Sequence, residues 1–248
     1  MKKLHVGTMG WSYEFWRGKF YPEDSKKLLT EYAKNFDTVE IDNTFYRIPF
    51  RDNVMNWKEE TPDDFIFTAK FPRKITHIKI LQDCQEELEV FIEHMILMGN
   101  KLGPLLIQLP HSFKPEKFGI LNDFLASLPG KCRFAVEVRN KKWLDQKFYD
   151  MLSDNKVALT LLDHPWMPEM NTITADFTYI RWVGDRKKIK GNLGKIEKDR
   201  SEDIRDWAKK IKGFLDNDIE VFGYFSKTYS GYPPDDVRML LDQIIVKN

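Results

Sequence analysis

Five charged side chains of this sequence lie within or just beyond strongly apolar segments, where a charge is costly unless it is paired or used. They are Glu40, Lys70, Glu137, Arg139 and Arg181. Carboxylates placed in this way can act as general acid and base, because a carboxylate beside a cation stays ionised whereas one in an apolar wall keeps its proton. The cations suit an anionic ligand. The structural alternative is a salt-bridge network that fixes the register of the strands.

Aromatic and amide side chains accompany these charges. Trp11, Tyr46 and Trp143 offer ring faces on which a sugar or a base can stack. The predicted substrate-binding set combines these rings with amides and cations, and it consists of Trp11, Asn43, Tyr46, Lys70, Gln108, Arg139, Trp143 and Arg181.

His77 joins Glu40 and Glu137 as the third predicted catalytic residue, because an imidazole just after a strand is well placed to act as a general base. Imidazole and carboxylate groups suit several divalent metals. However, no HxH, HExxH or DxD spacing among the histidines and carboxylates at the strand ends supports a metal site. We therefore expect neither a metal nor another cofactor.

Eight short, apolar and β-branched segments must position these side chains. The predicted strands are Leu4–Thr8, Thr38–Ile41, Phe65–Ala69, Leu105–Leu109, Phe134–Val138, Val157–Leu162, Phe177–Trp182 and Glu220–Phe225. Runs such as PLLIQL and VALTLL are apolar almost without a break, which is typical of parallel strands covered on both faces.

Seven segments with apolar residues at spacings of three and four separate these strands. The predicted helices are Ser25–Phe36, Arg51–Glu60, Asp83–Asn100, Pro115–Leu128, Trp143–Asn155, Ser201–Asn217 and Pro234–Val246. Ser25 and Ser201 are the predicted N-caps, and Pro234 suits a first helical turn.

This alternation within 248 residues predicts an α/β fold, a TIM (β/α)₈-type barrel formed by a single domain over residues 1–248. The sixth unit is expected to be irregular, because the segment DHPWMPEMNT holds two prolines and leaves little room for a helix. An open doubly wound sheet is the competing architecture. The segment GTMGW after the first strand lacks both GxGxxG and GxxxxGK patterns, which argues against a nucleotide-binding sheet. In a barrel, the predicted site residues converge on the mouth at the C-terminal strand ends.

The net charge of +1 gives no global indication of binding to nucleic acid or membranes. The two cysteines, Cys84 and Cys132, lie in unrelated segments and predict no disulfide framework. The apolar stretch in the N-terminal MKKLHVGTMGW is too short for a signal peptide, and no run approaches the roughly 18 apolar residues of a membrane helix. We expect a cytoplasmic protein without membrane contacts.

Seven motifs in order resemble one known family, and they are VGTMGWSYEFWRGKFYP, FDTVEIDNTFYRIP, TPDDFIFTAKFPRKITH, KLGPLLIQLPHSF, FAVEVRNKKWL, TADFTYIRW and VFGYFSKTYSGYPPDDVRMLL. The sequence is similar over nearly its whole length to the YecE-like proteins, also called domain of unknown function 72. The resemblance implies a TIM barrel and implies little about activity. The family usually has an Asn pair after the last strand, whereas this sequence has Ser226 and Lys227, so a ligand contact of those amides is not expected here.

Three functions fit these observations. The first is an enzyme or ligand-binding protein for an anionic, sugar- or nucleotide-like molecule, with hydrolysis by the paired carboxylates Glu40 and Glu137 as the expected chemistry. The second is a nucleic-acid-binding barrel related in idea to repair endonucleases, since cations and aromatic rings suit phosphate contacts and base stacking. The third is a metabolite sensor or scaffold without catalytic activity.

Overall fold

The computed structural model describes residues 3–245, in which eight parallel strands form a closed barrel in sequence order. The strands are Leu4–Met9 (β1), Thr38–Ile41 (β2), Ile66–Lys70 (β3), Leu102–Gln108 (β4), Phe134–Glu137 (β5), Ala158–Asp163 (β6), Phe177–Trp182 (β7) and Glu220–Phe225 (β8). Because β8 pairs with β1, the barrel is closed. The predicted TIM barrel is therefore confirmed.

Seven α-helices surround the barrel within the described residues. They are Leu28–Ala33 (α1), Arg51–Glu59 (α2), Gln85–Met95 (α3), Phe118–Ala126 (α4), Gln146–Asp154 (α5), Ser201–Asp216 (α6) and Pro233–Ile245 (α7). Shorter helical turns cover Glu14–Trp16, Asn43–Phe45, Lys74–Ile78, Ile96–Lys101, Pro115–Lys117 and Lys141–Trp143. Each predicted helix overlaps an observed one, and the final predicted residue, Val246, lies outside the described residues. No helix in residues 3–245 combines the length and the apolar character that crossing a membrane requires.

The expected irregularity of the sixth unit is also confirmed. The chain passes from the end of β6 at Asp163 to the start of β7 at Phe177 without forming a helix. Thr174 in this segment donates a hydrogen bond to the carbonyl of Val157 at 2.7 Å and accepts one from the amide of Leu159 at 2.8 Å. These bonds hold the connection against β6 in place of a packed helix.

Both predicted serine N-caps are wrong. Helix α1 begins at Leu28, after the non-helical residue Lys27, so Ser25 lies outside it. Ser201 is the first residue of α6 rather than the residue before it. Its backbone amide donates to the Asp199 carboxylate at 2.9 Å, so the side chain that accepts from an amide at this helix start is Asp199 and not Ser201. Pro233 and Pro234 do occupy the first turn of α7, where a missing N–H costs nothing.

Polar side chains inside the barrel lead up to the mouth. The Tyr179 hydroxyl donates to Glu40 at 2.8 Å and lies 2.9 Å from the hydroxyl of Thr68. The hydroxyls of Thr38 and Tyr224 lie 2.8 Å apart. Because all these groups are buried, their mutual hydrogen bonds remove most of the cost of placing them in the core.

Candidate binding site at the barrel mouth

Arg181 of β7 joins two carboxylates from different strands. Its Nη2 and Nε lie 2.8 and 2.9 Å from the carboxylate oxygens of Glu40 on β2, and its Nη1 lies 2.6 Å from Glu137 on β5. We call these three residues the Arg181 triad. Glu40 and Glu137 have no exposed surface and Arg181 is 3% exposed. The triad is thus a buried ion network that ties three strands together.

The triad also fixes two side chains that reach the mouth. Glu137 accepts hydrogen bonds from the Nε of Arg139 and from the amide of Gln108. Gln108 stands beside Glu137 because β4 and β5 pair in that register. Because both oxygens of Glu137 are bonded, this buried carboxylate fixes the orientation of the Arg139 and Gln108 side chains beneath the mouth.

The two carboxylates of the triad differ in their ionisation. Burial raises the pKa of Glu40, and the neighbouring Arg181 only partly offsets that effect. Burial acts in the same direction on Glu137, but Arg139 and Arg181 outweigh it and hold the pKa of that carboxyl well below its usual range. Glu137 is therefore the firmly ionised partner, since it faces two guanidinium groups rather than one.

A cavity of about 910 Å³ opens above the triad at the C-terminal ends of the strands. Its cationic lining residues are Lys70, Lys114, Arg139, Lys141, Lys142 and Arg186. Among the described residues, Asp42 is the one carboxylate in this lining. Four of the cations, Lys114, Lys141, Lys142 and Arg186, have no ion pair with any described residue. The cavity is therefore strongly positive.

Lys70 is the most enclosed of these cations. Its Nζ lies 3.5 Å from Asp42 Oδ1 and 4.0 Å from the centre of the Phe45 ring. Burial lowers the pKa of Lys70, and Asp42 counteracts this effect. Lys70 is thus held in place by one carboxylate and one aromatic face.

Two histidines of the cavity wall are kept neutral at neutral pH. Burial, followed by the charge of Lys70, lowers the pKa of His77, whose Nδ1 lies 2.8 Å from the Thr76 hydroxyl. Burial, followed by the charge of Arg139, lowers the pKa of His164 to about 4. Neutral imidazoles can accept a proton, so both are candidate bases.

Five of the predicted site residues line this cavity, and they are Tyr46, Lys70, His77, Gln108 and Arg139. Three others, Glu40, Glu137 and Arg181, lie beneath it as the triad. The structure thus brings eight of the eleven predicted residues together, in two layers.

Trp143 requires a correction, because it is 1% exposed and cannot offer a face to a ligand. Its indole N–H donates to the carbonyl of Phe113 at 2.8 Å, and its ring stacks on the Phe113 ring at 5.7 Å. Trp143 therefore packs the loops after β4 and β5. Trp11 and Asn43 are also absent from the cavity lining and lie instead in neighbouring grooves between the mouth and α2.

The predicted site lacks several residues that do line the cavity, above all Lys114, Lys141, Lys142, His164 and Arg186. They lie in loops or, for Lys141 and Lys142, in the short helical turn after β5, and the alternation that shows which way a strand residue points is missing there. Their signal in the sequence was local charge, as in the paired lysines after β5 and the basic run that contains Arg186. Ser226 and Lys227 are absent from the lining, and the Nζ of Lys227 lies 5.7 Å from the Tyr13 ring.

Within residues 3–245, no group of three or more His, Cys, Asp or Glu side chains is arranged to hold a metal ion. The charged wall of the mouth thus consists of fixed cations rather than a carboxylate cage.

Two curated relatives resemble this chain. UPF0759 protein YecE of Escherichia coli K12 is 34% identical over 140 residues, which cover 56% of this chain and 50% of YecE. The matched region thus spans about half the length of that relative. UPF0759 protein YunF of Bacillus subtilis is 26% identical, with 98% of this chain and 95% of YunF covered.

Solved structures share the fold. A DUF72 family protein from Thermotoga maritima superposes with a TM-score of 0.80 at 24% identity, over 99% of this chain and all of that one. A D-psicose 3-epimerase from Clostridium cellulolyticum H10, solved with D-tagatose, gives a TM-score of 0.54 at 12% identity, covering 97% and 95% of the two chains. The family model "Protein of unknown function DUF72" matches residues 5–247. The chain therefore belongs to the DUF72 family, as its sequence motifs predicted.

Proposed function

We propose that the barrel mouth binds an anionic ligand that carries a sugar- or nucleotide-like ring, such as a phosphate ester. The observation that carries this proposal is the charge of the cavity, which has six lysine or arginine residues and one carboxylate among its described lining residues. A concave wall of unpaired cations concentrates positive potential and attracts anions. The fold likeness to D-psicose 3-epimerases, solved with D-fructose or D-tagatose, is in keeping with a sugar-like ring.

Lys70 and Arg139 are the proposed anion contacts. Arg139 uses its Nε to bond Glu137, and its two Nη atoms have no hydrogen-bond partner among the described residues. A guanidinium with two terminal donors available can bond two oxygens of a phosphate or carboxylate group. Lys70, the last residue of β3, lines the same cavity and adds a second positive charge. We expect the triad below to keep Arg139 in place for this contact.

His77 is the proposed base if the bound ligand is also transformed. The triad carboxylates have no exposed surface, and each is already bonded to Arg181. In contrast, His77 lines the cavity and its pKa is lowered, so its neutral form can take a proton from water or from a ligand hydroxyl. Hydrolysis remains the proposed reaction class, with the proton transfer assigned to His77 and with Glu40 and Glu137 assigned to positioning.

Calorimetric titration with inorganic phosphate, glucose 6-phosphate and AMP tests the binding proposal. Lys70→Met should weaken binding of the preferred probe about 10–100-fold, since a hydrogen bond to a charged group contributes about 1.5–3 kcal/mol. Lys209→Met is the matched control, because Lys209 is exposed on α6 and its one ion pair within residues 3–245 is with Asp206. Equal affinity for glucose or adenosine, which lack the anion, would contradict the proposal.

The role of His77 is tested separately from binding. His77→Gln should keep the affinity for the best phosphate ester within a few-fold while abolishing its turnover. Turnover that persists in this variant contradicts the assignment. A ligand that binds to the unmodified chain without any turnover would indicate the sensor alternative instead.

Single-stranded nucleic acid is a second candidate, favoured by two exposed aromatic rings on the rim. Tyr46 is 74% and Trp166 is 67% exposed, and the Nζ of Lys187 lies 5.3 Å from the Trp166 ring. Exposed rings beside cations are the arrangement on which bases stack and phosphates bind. Fluorescence anisotropy with a labelled oligothymidine should show an affinity that falls steeply with salt and drops in Trp166→Ala. An affinity insensitive to salt would exclude this candidate.

A further inference from the structure

A second depression lies outside the mouth cavity, beside helix α2. It consists of two adjoining hollows of about 350 and 220 Å³, which share Asn53 and Trp57 in their linings. Trp11 and Asn56 line the first hollow, and Asn43 lines the second. We call the depression lined by these five residues the tryptophan groove. The first hollow alone falls in the range of about 300–1,000 Å³ typical of small-molecule sites.

The two indole rings of the groove stand at right angles. Their centroids are 5.8 Å apart and their planes are inclined by 84°, so the rings form a corner. Both side chains are only partly buried, so this aromatic surface is not enclosed in the core. A corner of two large rings provides broad apolar contact for the face of a flat ligand.

Three amides are the neutral polar side chains of the groove, and charged side chains, among them Glu60, also contribute to the linings of its two hollows. Asn43, Asn53 and Asn56 make no side-chain hydrogen bond to any other described residue, and the same holds for the indole N–H groups of Trp11 and Trp57. Each amide offers both a donor and an acceptor. Asn43 and Asn56 are exposed and Asn53 is partly buried, so the amides are accessible to a ligand.

We infer that the tryptophan groove is a binding site for a neutral saccharide. Sugar hydroxyls both donate and accept hydrogen bonds, which matches the amides, and the C–H faces of the ring suit the indoles. A phosphate group would use only the donors, and a hydrocarbon would leave the amides without bonds. Lys26, Lys27 and Arg47 also line the depression and are exposed, whereas Glu60 is partly buried and adds one carboxylate.

The groove is separate from the mouth cavity but adjoins it through one helical turn. In the turn Asn43–Phe45, Asn43 lines the groove whereas Phe45 lines the mouth cavity and contacts Lys70. The two sites thus differ in chemistry, because the groove combines indoles and amides with charges of both signs, whereas six cations and one carboxylate line the mouth among the described residues. The inference does not depend on what the mouth binds.

Nuclear magnetic resonance of the indole N–H groups tests this inference, with cellobiose and maltose as the probes. Saturable shifts confined to the signals of Trp11 and Trp57, assigned by Trp→Phe replacement, are expected with at least one disaccharide. Asn53→Ala should weaken that binding about tenfold or more, whereas the exposed Asn192→Ala should leave it unchanged. Trp57→Ala should abolish it.

The inference is overturned if neither disaccharide gives saturable shifts, or if Asn53→Ala and Asn192→Ala bind equally well. It is also overturned if inorganic phosphate moves the two indole signals as strongly as the disaccharides do. Circular dichroism establishes that each variant is folded. If Trp57→Ala is unfolded, Asn53→Ala by itself decides the question.

Discussion

The two ends of the barrel handle charge in different ways. At the N-terminal end of the strands, His5 lies 3.4 Å from Asp37 and 3.3 Å from Glu220, and Glu220 also pairs with Arg133. The guanidinium of Arg133 covers the ring of Phe222 at 4.9 Å, and the His5 ring stacks on the same phenylalanine. Within the part of the chain that the structure describes, this cluster thus pairs two basic groups with two carboxylates, so its charges are matched.

At the mouth, positive and negative charges balance in the buried layer alone. The carboxylates of Glu40 and Glu137 are matched by Arg181 and Arg139, and Asp42 is matched by Lys70. The outer wall then adds four cations without carboxylate partners among the described residues. A structural ion network closes one end of the barrel, whereas at the other end a comparable network supports an excess of positive charge. That excess is the reason for which we propose the mouth as the functional end.

Glu137→Gln should break the buried layer of the mouth and give the largest effect. It leaves Arg181 with one carboxylate fewer in the core, and breaking a buried pair costs about 3–5 kcal/mol. Urea unfolding measures the loss of free energy of unfolding. Glu169→Gln, at an exposed pair with Lys210, is the matched control and should change little. An equal effect in both variants would show that the triad adds no stability.

Glu220→Gln should weaken the closed end by a smaller amount, about 1–2 kcal/mol for charge-assisted bonds that are partly exposed. Water can still reach Arg133, whose side chain is 40% exposed, so less desolvation is left uncompensated. Phosphate binding at the mouth should be unchanged in this variant. A loss of binding would contradict the separation of the two ends.

The histidines at the two ends of the barrel should have pKa values shifted in opposite directions. Burial alone would lower the pKa of His5, but Asp37 and Glu220 outweigh it and raise that pKa above 6.5. His5 thus contributes stability that is present below pH 6.5 and is lost as the pH rises through its folded pKa. His164 does the reverse, because its folded pKa of about 4 means that stability is lost as the pH falls from about 6.5 towards 4.

Carbon-detected titration of the imidazole Cε1–H signals measures these values directly. We expect the signal of His5 to titrate above the ordinary range and those of His77 and His164 below it. In Glu220→Gln the pKa of His5 should fall while that of His164 stays unchanged. Ordinary values at all three positions would contradict the difference between the ends.

Arg186→Gln should give the smallest effect, because this exposed cation acts on the anion from the outer wall. A charge–charge interaction in water is worth about 1 kcal/mol at about 4 Å, so phosphate binding should weaken by less than about tenfold. Salt screens exposed charges, so the difference between Arg186→Gln and the unmodified chain should shrink at high ionic strength. Arg205→Gln, on α6 away from the cavity, is the control.

The strands could be predicted from sequence because burial on both faces leaves a strong apolar signal. Thus β2 and β7 were located to the residue, while β4 begins at Leu102, earlier than predicted, because the helical turn before it passes directly into the strand. Helix starts were less certain, since α1 has no side-chain cap at all. Local preferences are weak where tertiary packing decides the boundary.

The sequence predicts which residues belong to the site, but not their division into a buried triad and a cavity lining above it. Glu40, Glu137 and Arg181 were identified because charges stand out in apolar strands, yet the depth at which they meet depends on pairing across the barrel. Trp143 was expected to contact a ligand, but its burial depends on Phe113, which belongs to the loop of another unit. Contacts between distant segments cannot be deduced from spacing along the chain.

The Arg181 triad also bears on how the barrel assembles. Arg181 is 141 residues from Glu40 and 44 from Glu137 in the chain, so its bonds form only after long loops have closed. An intermediate that lacks β7 would leave Glu40 without Arg181 and Tyr179 in an apolar interior, and one that lacks β2 would leave Arg181 with a single carboxylate partner in the triad. Partly closed barrels are therefore penalised, and we expect the last strands to dock in one cooperative step rather than one by one.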